Sequence, residues 1–121
     1  MDEKMTYNLT VRLFCGEKCF GPGMAQLLRK VQELHSLRAA AMSMNMAYSK
    51  AWTITKKAQE ALGFPLLHSV TGGRGGGGAE LTPEAVRMMA AYGDYCRKLR
   101  AYADDLFQEE FGYLQEENGG L

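Results

Sequence analysis

The side chains of this chain best suited to chemistry are hydrogen-bonding and cationic groups at helical spacing, with no nucleophile and base among them. Tyr48, Ser49, Lys50, Thr53 and Lys56 follow one another within nine positions. On a helix they spread over one broad face, with Ser49, Thr53, Lys56 and Glu60 along its middle and Lys50 and Lys57 flanking them. Ala51, Thr55, Ala58 and Leu62 recur at four, three and four on the opposite side and form an inward stripe. Hydroxyls and ammonium groups displayed this way can bond base edges and phosphates of a polyanion. The competing reading is a helical hairpin whose polar face is merely solvated.

Catalysis finds little footing. Neither His35 nor His68 has a nucleophile near it in sequence, and no carboxylate pair sits in an apolar setting. Cys15, Cys19 and Cys96 form no zinc spacing with those histidines, and an odd number of cysteines fits a reducing compartment. We therefore expect no enzyme activity, no metal and no cofactor.

The elements that position the polar face can be read on either side of it. Ser36–Leu62 reads as two helices joined by a tight turn, the first piece short and alanine-rich, so another helix can cross it closely. Asn45 tolerates a left-handed backbone and lets the chain turn before the polar helix begins. A short helix, a turn and a longer helix with a cationic face are the parts of a helix-turn-helix reader of DNA. Upstream, Tyr7, Leu9, Val11 and Leu13 alternate with polar residues and predict a half-buried strand, returning at Cys19-Phe20. Gly21-Pro22-Gly23 ends that hairpin. Met24, Leu27, Leu28, Val31 and Leu34 then predict a first helix, completing a three-helix core.

After Gly63 come a short apolar strand to Val70, a glycine run, and a return strand at Ala79-Glu80-Leu81. Thr71 to Gly78 holds six glycines in eight residues, which offer nothing to a core but let a backbone approach another molecule. Three readings compete: a wing laid along DNA with Arg74, Gly75 and Gly76 at phosphate, a nucleotide-phosphate cradle, or a linker. The cradle fails because Ala79-Glu80 stands where Lys and a hydroxyl residue are required. A linker would not sit between two short strands directly behind a helix-turn-helix.

Thr82-Pro83 opens the last helix. Along it Met88, Tyr92, Tyr95, Leu99, Tyr102 and Leu106 make a seam one partner helix wide, which we expect to bury against a second copy. The alternative is packing on the first helix of the same chain.

Charge follows the same division. Residues 24–78 carry seven cations against two carboxylates, whereas 79–121 carry nine carboxylates against four cations. A basic middle favours a polyanion and an acidic tail is repelled by one. No apolar run reaches bilayer length, and Met-Asp-Glu-Lys lacks the layout of a signal peptide, so a cytoplasmic protein with no membrane partner is expected.

Three stretches carry a resemblance to a known family: Thr71–Thr82, Ala47–Trp52 (Ala-Tyr-Ser-Lys-Ala-Trp) and Gly21-Pro22-Gly23. Together they resemble the DNA-binding domain of ModE-type molybdate-responsive transcriptional regulators, itself similar to the winged helix of LysR-type regulators. The resemblance implies an α+β, mainly α winged helix-turn-helix that dimerises on a near-palindromic operator of double-stranded DNA. It implies a reading helix in the major groove carrying Tyr48, Ser49, Lys50 and Thr53, with Lys56 nearer phosphate. Arg74 would be the wing-tip cation. Trp52 would pack either beneath the wing or in the core. The expected organisation is 1–82 DNA-binding domain with an N-terminal hairpin, 83–117 dimerisation helix and 118–121 frayed tail. Asn45 replaces the family's usual turn glycine, and Ala47 replaces a serine, losing a cap. Family members carry oxyanion-binding domains after this part, and the chain ends first, so direct molybdate binding is not expected of it. The second class of function is a protein-interaction module built on the same frame.

Overall fold

The computed structural model describes residues 3–70 and 78–119. Its elements are β1 (Leu13–Cys15), β2 (Glu17–Phe20), α1 (Pro22–Leu34), α2 (Leu37–Ser43), α3 (Tyr48–Leu62), β3 (Leu67–Val70), β4 (Gly78–Leu81) and α4 (Pro83–Gly119). The fold is mainly α, with two antiparallel hairpins, β1-β2 and β3-β4. The chain divides into two compact units, Val11–Tyr92 and, separately, Met1–Thr10 with Gly93–Leu121.

In the unit Val11–Tyr92, α1 starts at Pro22, whose fixed φ suits a first helical position. It buries Met24, Ala25, Leu27, Leu28 and Val31, the face the apolar spacing predicts. α1 stops where His35 takes a left-handed conformation (φ 57°), its amide donating to Val31 O at 2.7 Å. Ser36 caps α2 by accepting a hydrogen bond from the Ala39 amide at 3.0 Å.

The turn between α2 and α3 closes with two backbone bonds. Asn45 N donates to Met42 O at 3.1 Å and Met46 N to Ala41 O at 2.9 Å, with Asn45 left-handed at φ 54°. This is the double closure that a left-handed residue just past a helix end permits. Buried Ala40 and Ala41 on α2 and Ala51 and Ala58 on α3 present almost no side chain, so the helices cross closely. Thr55 is buried between those alanines and satisfies its hydroxyl by donating to Ala51 O at 2.8 Å.

The largest fully buried side chains are Phe20, Leu27, Leu28, Leu66 and Val31. Burying each stabilises by about 1.5–3 kcal/mol. The exposed Lys30–Glu33 pair on α1, 3.4 Å apart, contributes a few tenths at most, so packing and not charge holds the unit. The Phe20 and Tyr92 rings meet edge to face at 5.0 Å, and the Tyr92 hydroxyl donates to Val11 O at 2.7 Å.

The β3-β4 hairpin pairs Leu67 with Leu81 and Val70 with Gly78. Its second strand docks on the end of α1 through the Ala79 amide, which donates to His35 O at 3.1 Å. A Cβ on Gly78 would stand 2.9 Å from that same carbonyl oxygen, so the approach requires glycine. At the exit from β4, Thr82 Oγ1 donates to Pro65 O at 2.7 Å and accepts from the Ala85 amide at 3.1 Å. One side chain thereby caps α4 and ties it to the entry of β3.

In the other unit, the Tyr7 hydroxyl donates to the Asp104 carboxylate, and Arg100 Nη2 donates to Leu9 O at 3.4 Å. The hydrogen bond to Asp104 pushes the Tyr7 phenol above its ordinary value. Tyr7, Phe107 and Phe111 continue as a row of rings with centroids 5.3 and 5.4 Å apart.

The strand expected over Tyr7–Leu13 is a correction. Tyr7, Leu9, Val11 and Leu13 are half-buried and Thr6, Asn8, Thr10 and Arg12 exposed, so the alternation is real, but ladder pairing begins only at Leu13. Period two reports which side faces protein; it does not supply a backbone partner. At the other end α4 extends to Gly119, past the Glu117 boundary read from sequence.

Candidate nucleic-acid interface

The second helix of the helix-turn-helix, α3, opens at Ala47 with no side-chain cap, so the amides of its first turn lack a side-chain acceptor. Free amides and the positive end of the helix dipole together favour an anion there. Tyr48, Ser49, Lys50, Trp52 and Thr53 are exposed on the first half of this helix, and Lys56 is exposed just beyond its middle.

Three of these side chains take part in π contacts. The Arg38 guanidinium from α2 lies 4.2 Å from the centre of the Tyr48 ring, and the Lys56 ammonium 4.9 Å from that of Trp52. Trp52 is half exposed, so of the two positions left open by sequence it does not take the core. The Thr53 hydroxyl donates to Ser49 O at 2.8 Å, which spends its proton inside the helix and leaves its lone pairs and methyl outward.

α3 and the β3-β4 hairpin face each other across a cleft of about 630 Å³. Arg38, Tyr48, Trp52 and Lys56 line one side of it, and Leu67, His68, Ser69 and Ala79 the other. Gln59 joins the two sides, since its Oε1 accepts from the amides of Leu66 at 2.8 Å and Leu67 at 3.2 Å. Across the hairpin, His68 Nε2 lies 3.3 Å from the Glu80 carboxylate, both exposed. Arg74, Gly75 and Gly76 lie outside the described residues.

Sequence reasoning missed Gln59 and the pairing role of Arg38. Gln59 stands one turn before the Gly63 stop and beside the buried Ala58, where an uncharged acceptor can reach the strand that doubles back. That placement was the only signal, and a polar residue there is equally at home in solvent.

On α4 the expected seam divides. Tyr95, Tyr102 and Leu106 are exposed, Met88 and Leu99 half-buried. Tyr92 is 8% exposed and engaged with Phe20 and Val11 of its own chain, which corrects its assignment to a surface open to a partner. Among the described residues no group of three His, Cys, Asp or Glu side chains could hold a metal ion, and no helix is long and apolar enough to cross a membrane.

A three-helix core with a tight left-handed turn, an exposed second helix and a hairpin beside it defines a winged helix-turn-helix. Residues 24–86 match the family described as bacterial regulatory helix-turn-helix protein, lysR family, and the chain belongs to that family. It is 35% identical over 72 residues to the molybdenum transport protein ModE of Herbaspirillum seropedicae, covering 60% of this chain and 27% of the relative. To the transcriptional regulator ModE of Haemophilus influenzae it is 32% identical over 89 residues, 74% of this chain and 34% of the relative. To the molybdenum-pterin-binding protein MopB of Rhodobacter capsulatus it is 34% identical over 73 residues, 60% of this chain and 27% of the relative. The chain thus spans about a third or less of the length of these curated relatives.

Proposed function

We propose that the chain is a transcriptional regulator that reads double-stranded DNA with the first half of α3. Tyr48, Ser49, Lys50 and Thr53 address base edges, while Lys56, the hairpin and its tip residues Arg74, Gly75 and Gly76 address phosphate. The observation that carries this reading is the exposed polar face of α3: Ser49, Lys50 and Thr53 stand open to solvent, beside a cleft that Tyr48, Trp52 and Lys56 share with the hairpin. A helix of this kind fits the major groove with its first turns at the bases.

The proposal extends to a homodimer on a palindromic operator, with 1–82 as the DNA-binding part and 83–117 as the dimerisation helix. Exposed Tyr95, Tyr102 and Leu106 on α4 support it, because apolar side chains in register favour burial against a second copy. Two of the relatives carry molybdenum in their names, and we place the regulated genes in that area. Direct molybdate binding is no part of the proposal.

The test is a titration of the full chain with duplex DNA at low and moderate salt. Neutralising six to ten phosphates lowers affinity by about 10³–10⁵ between roughly 50 and 200 mM salt. Binding that ignores salt, or no binding to any duplex, rejects the DNA reading and favours an interaction module. Sedimentation of the free chain reads the dimer separately.

A further inference from the structure

The β1-β2 hairpin carries a pair of thiols that the DNA reading does not use. Cys15 pairs across the ribbon with Glu17, two residues before Cys19, so Cys15 and Cys19 stand diagonally on one face. Their sulfurs lie 3.4 Å apart, and Cys19 Sγ also lies 3.4 Å from Leu13 O, to which it donates. Cys15 is exposed while Cys19 is buried. The two thiols therefore differ in what can reach them.

We propose that Cys15 and Cys19 form a peroxide-reactive dithiol site, in which Cys15 is oxidised first and Cys19 resolves it to an intramolecular disulfide. The Cys15 thiolate attacks a peroxide oxygen; the O–O bond breaks, hydroxide leaves, and Cys15 becomes a sulfenic acid. Cys19 sulfur then attacks the Cys15 sulfur. The S–S bond forms, the sulfenic oxygen departs as water, and the Cys19 proton accompanies it. Two electrons have passed from two thiols to one peroxide, which ends as two molecules of water.

The hairpin geometry suits this division of labour. An oxidant from solvent meets only Cys15, and Cys19 needs no solvent access because its target is already beside it. Burial raises the Cys19 thiol above its ordinary value, as do its hydrogen bond with Cys15 and the charge of that neighbour. Cys19 is accordingly the less reactive of the two thiols toward peroxide, which leaves the first step to Cys15. Forming the bond requires Cys19 to release Leu13 O, at the irregularity in register between Leu13 and Phe14.

The experiment treats the reduced full chain with hydrogen peroxide, alkylates the remaining thiols and maps the peptides. The expected result is a link between Cys15 and Cys19, with Cys96 still alkylated and the link reversed by dithiothreitol. In Cys19→Ser, Cys15 should accumulate as a sulfenic acid trapped by dimedone. In Cys96→Ser the link should form as in the parent chain. Cys15 over-oxidised with Cys19 still free, Cys15 joined to a second copy, or no dimedone adduct in Cys19→Ser each overturns the proposal. None of these readouts depends on DNA binding.

Discussion

Gln59 Oε1 accepts a hydrogen bond from the Leu66 amide at 2.8 Å, seven residues on, and a second from Leu67. A single side chain thus ties α3 to the entry of the hairpin. Gln59→Leu should leave both amides unpaired beside the fully buried Leu66, lowering stability by about 2 kcal/mol in denaturant titration. Gln59→Glu keeps the acceptor oxygens and should recover most of that loss. Equal loss in the two variants would show that the amide bonds are not the cause.

Thr53 offers DNA an acceptor and a methyl group, since its proton is committed to Ser49 O. Thr53→Val removes the acceptor and keeps the shape. Selection from a randomised duplex library should then show an altered preference at one base position, worth about 1–3 kcal/mol of discrimination. An unchanged preference with uniformly weaker binding would remove Thr53 from the base-reading set.

Lys56 lies over Trp52 and faces the cleft, where a phosphate contact is electrostatic and indifferent to sequence. Lys56→Ala should weaken binding to all duplexes alike and reduce the slope of log affinity against log salt by about 1. A slope equal to that of the parent chain contradicts the phosphate role.

Gly78 admits no side chain without displacing the backbone of His35, whose carbonyl oxygen would lie 2.9 Å from the new Cβ. Gly78→Val should cost about 1–3 kcal/mol, as overpacking does. It should also speed hydrogen exchange at the Ala79 amide, which His35 O now holds. Exchange at the parental rate would show that the docking survives.

The helices were legible because their apolar spacing is a local property: Met24, Leu27, Leu28 and Val31 announce the buried side of α1 with no knowledge of its neighbours. The turn was legible because so few residues adopt the conformation Asn45 takes. What depended on a distant partner was not. The alternation at Tyr7–Leu13 carried burial but no ladder, and Tyr92 sat in the helical seam while serving Phe20 and Val11. Within the cleft, the polar face of α3 could be drawn from spacing, but Gln59 required the returning strand and Arg38 required the packing of α2 on α3.

Tyr7 is synthesised 97 residues ahead of Asp104, the carboxylate its hydroxyl meets. Its row of rings with Phe107 and Phe111 is completed later still. On the ribosome, therefore, the segment around Tyr7 has no native seat until most of α4 has emerged. The helices and hairpins of Val11–Tyr92 have their partners much earlier. The segment around Tyr7 and Leu9 is thus the last to be seated.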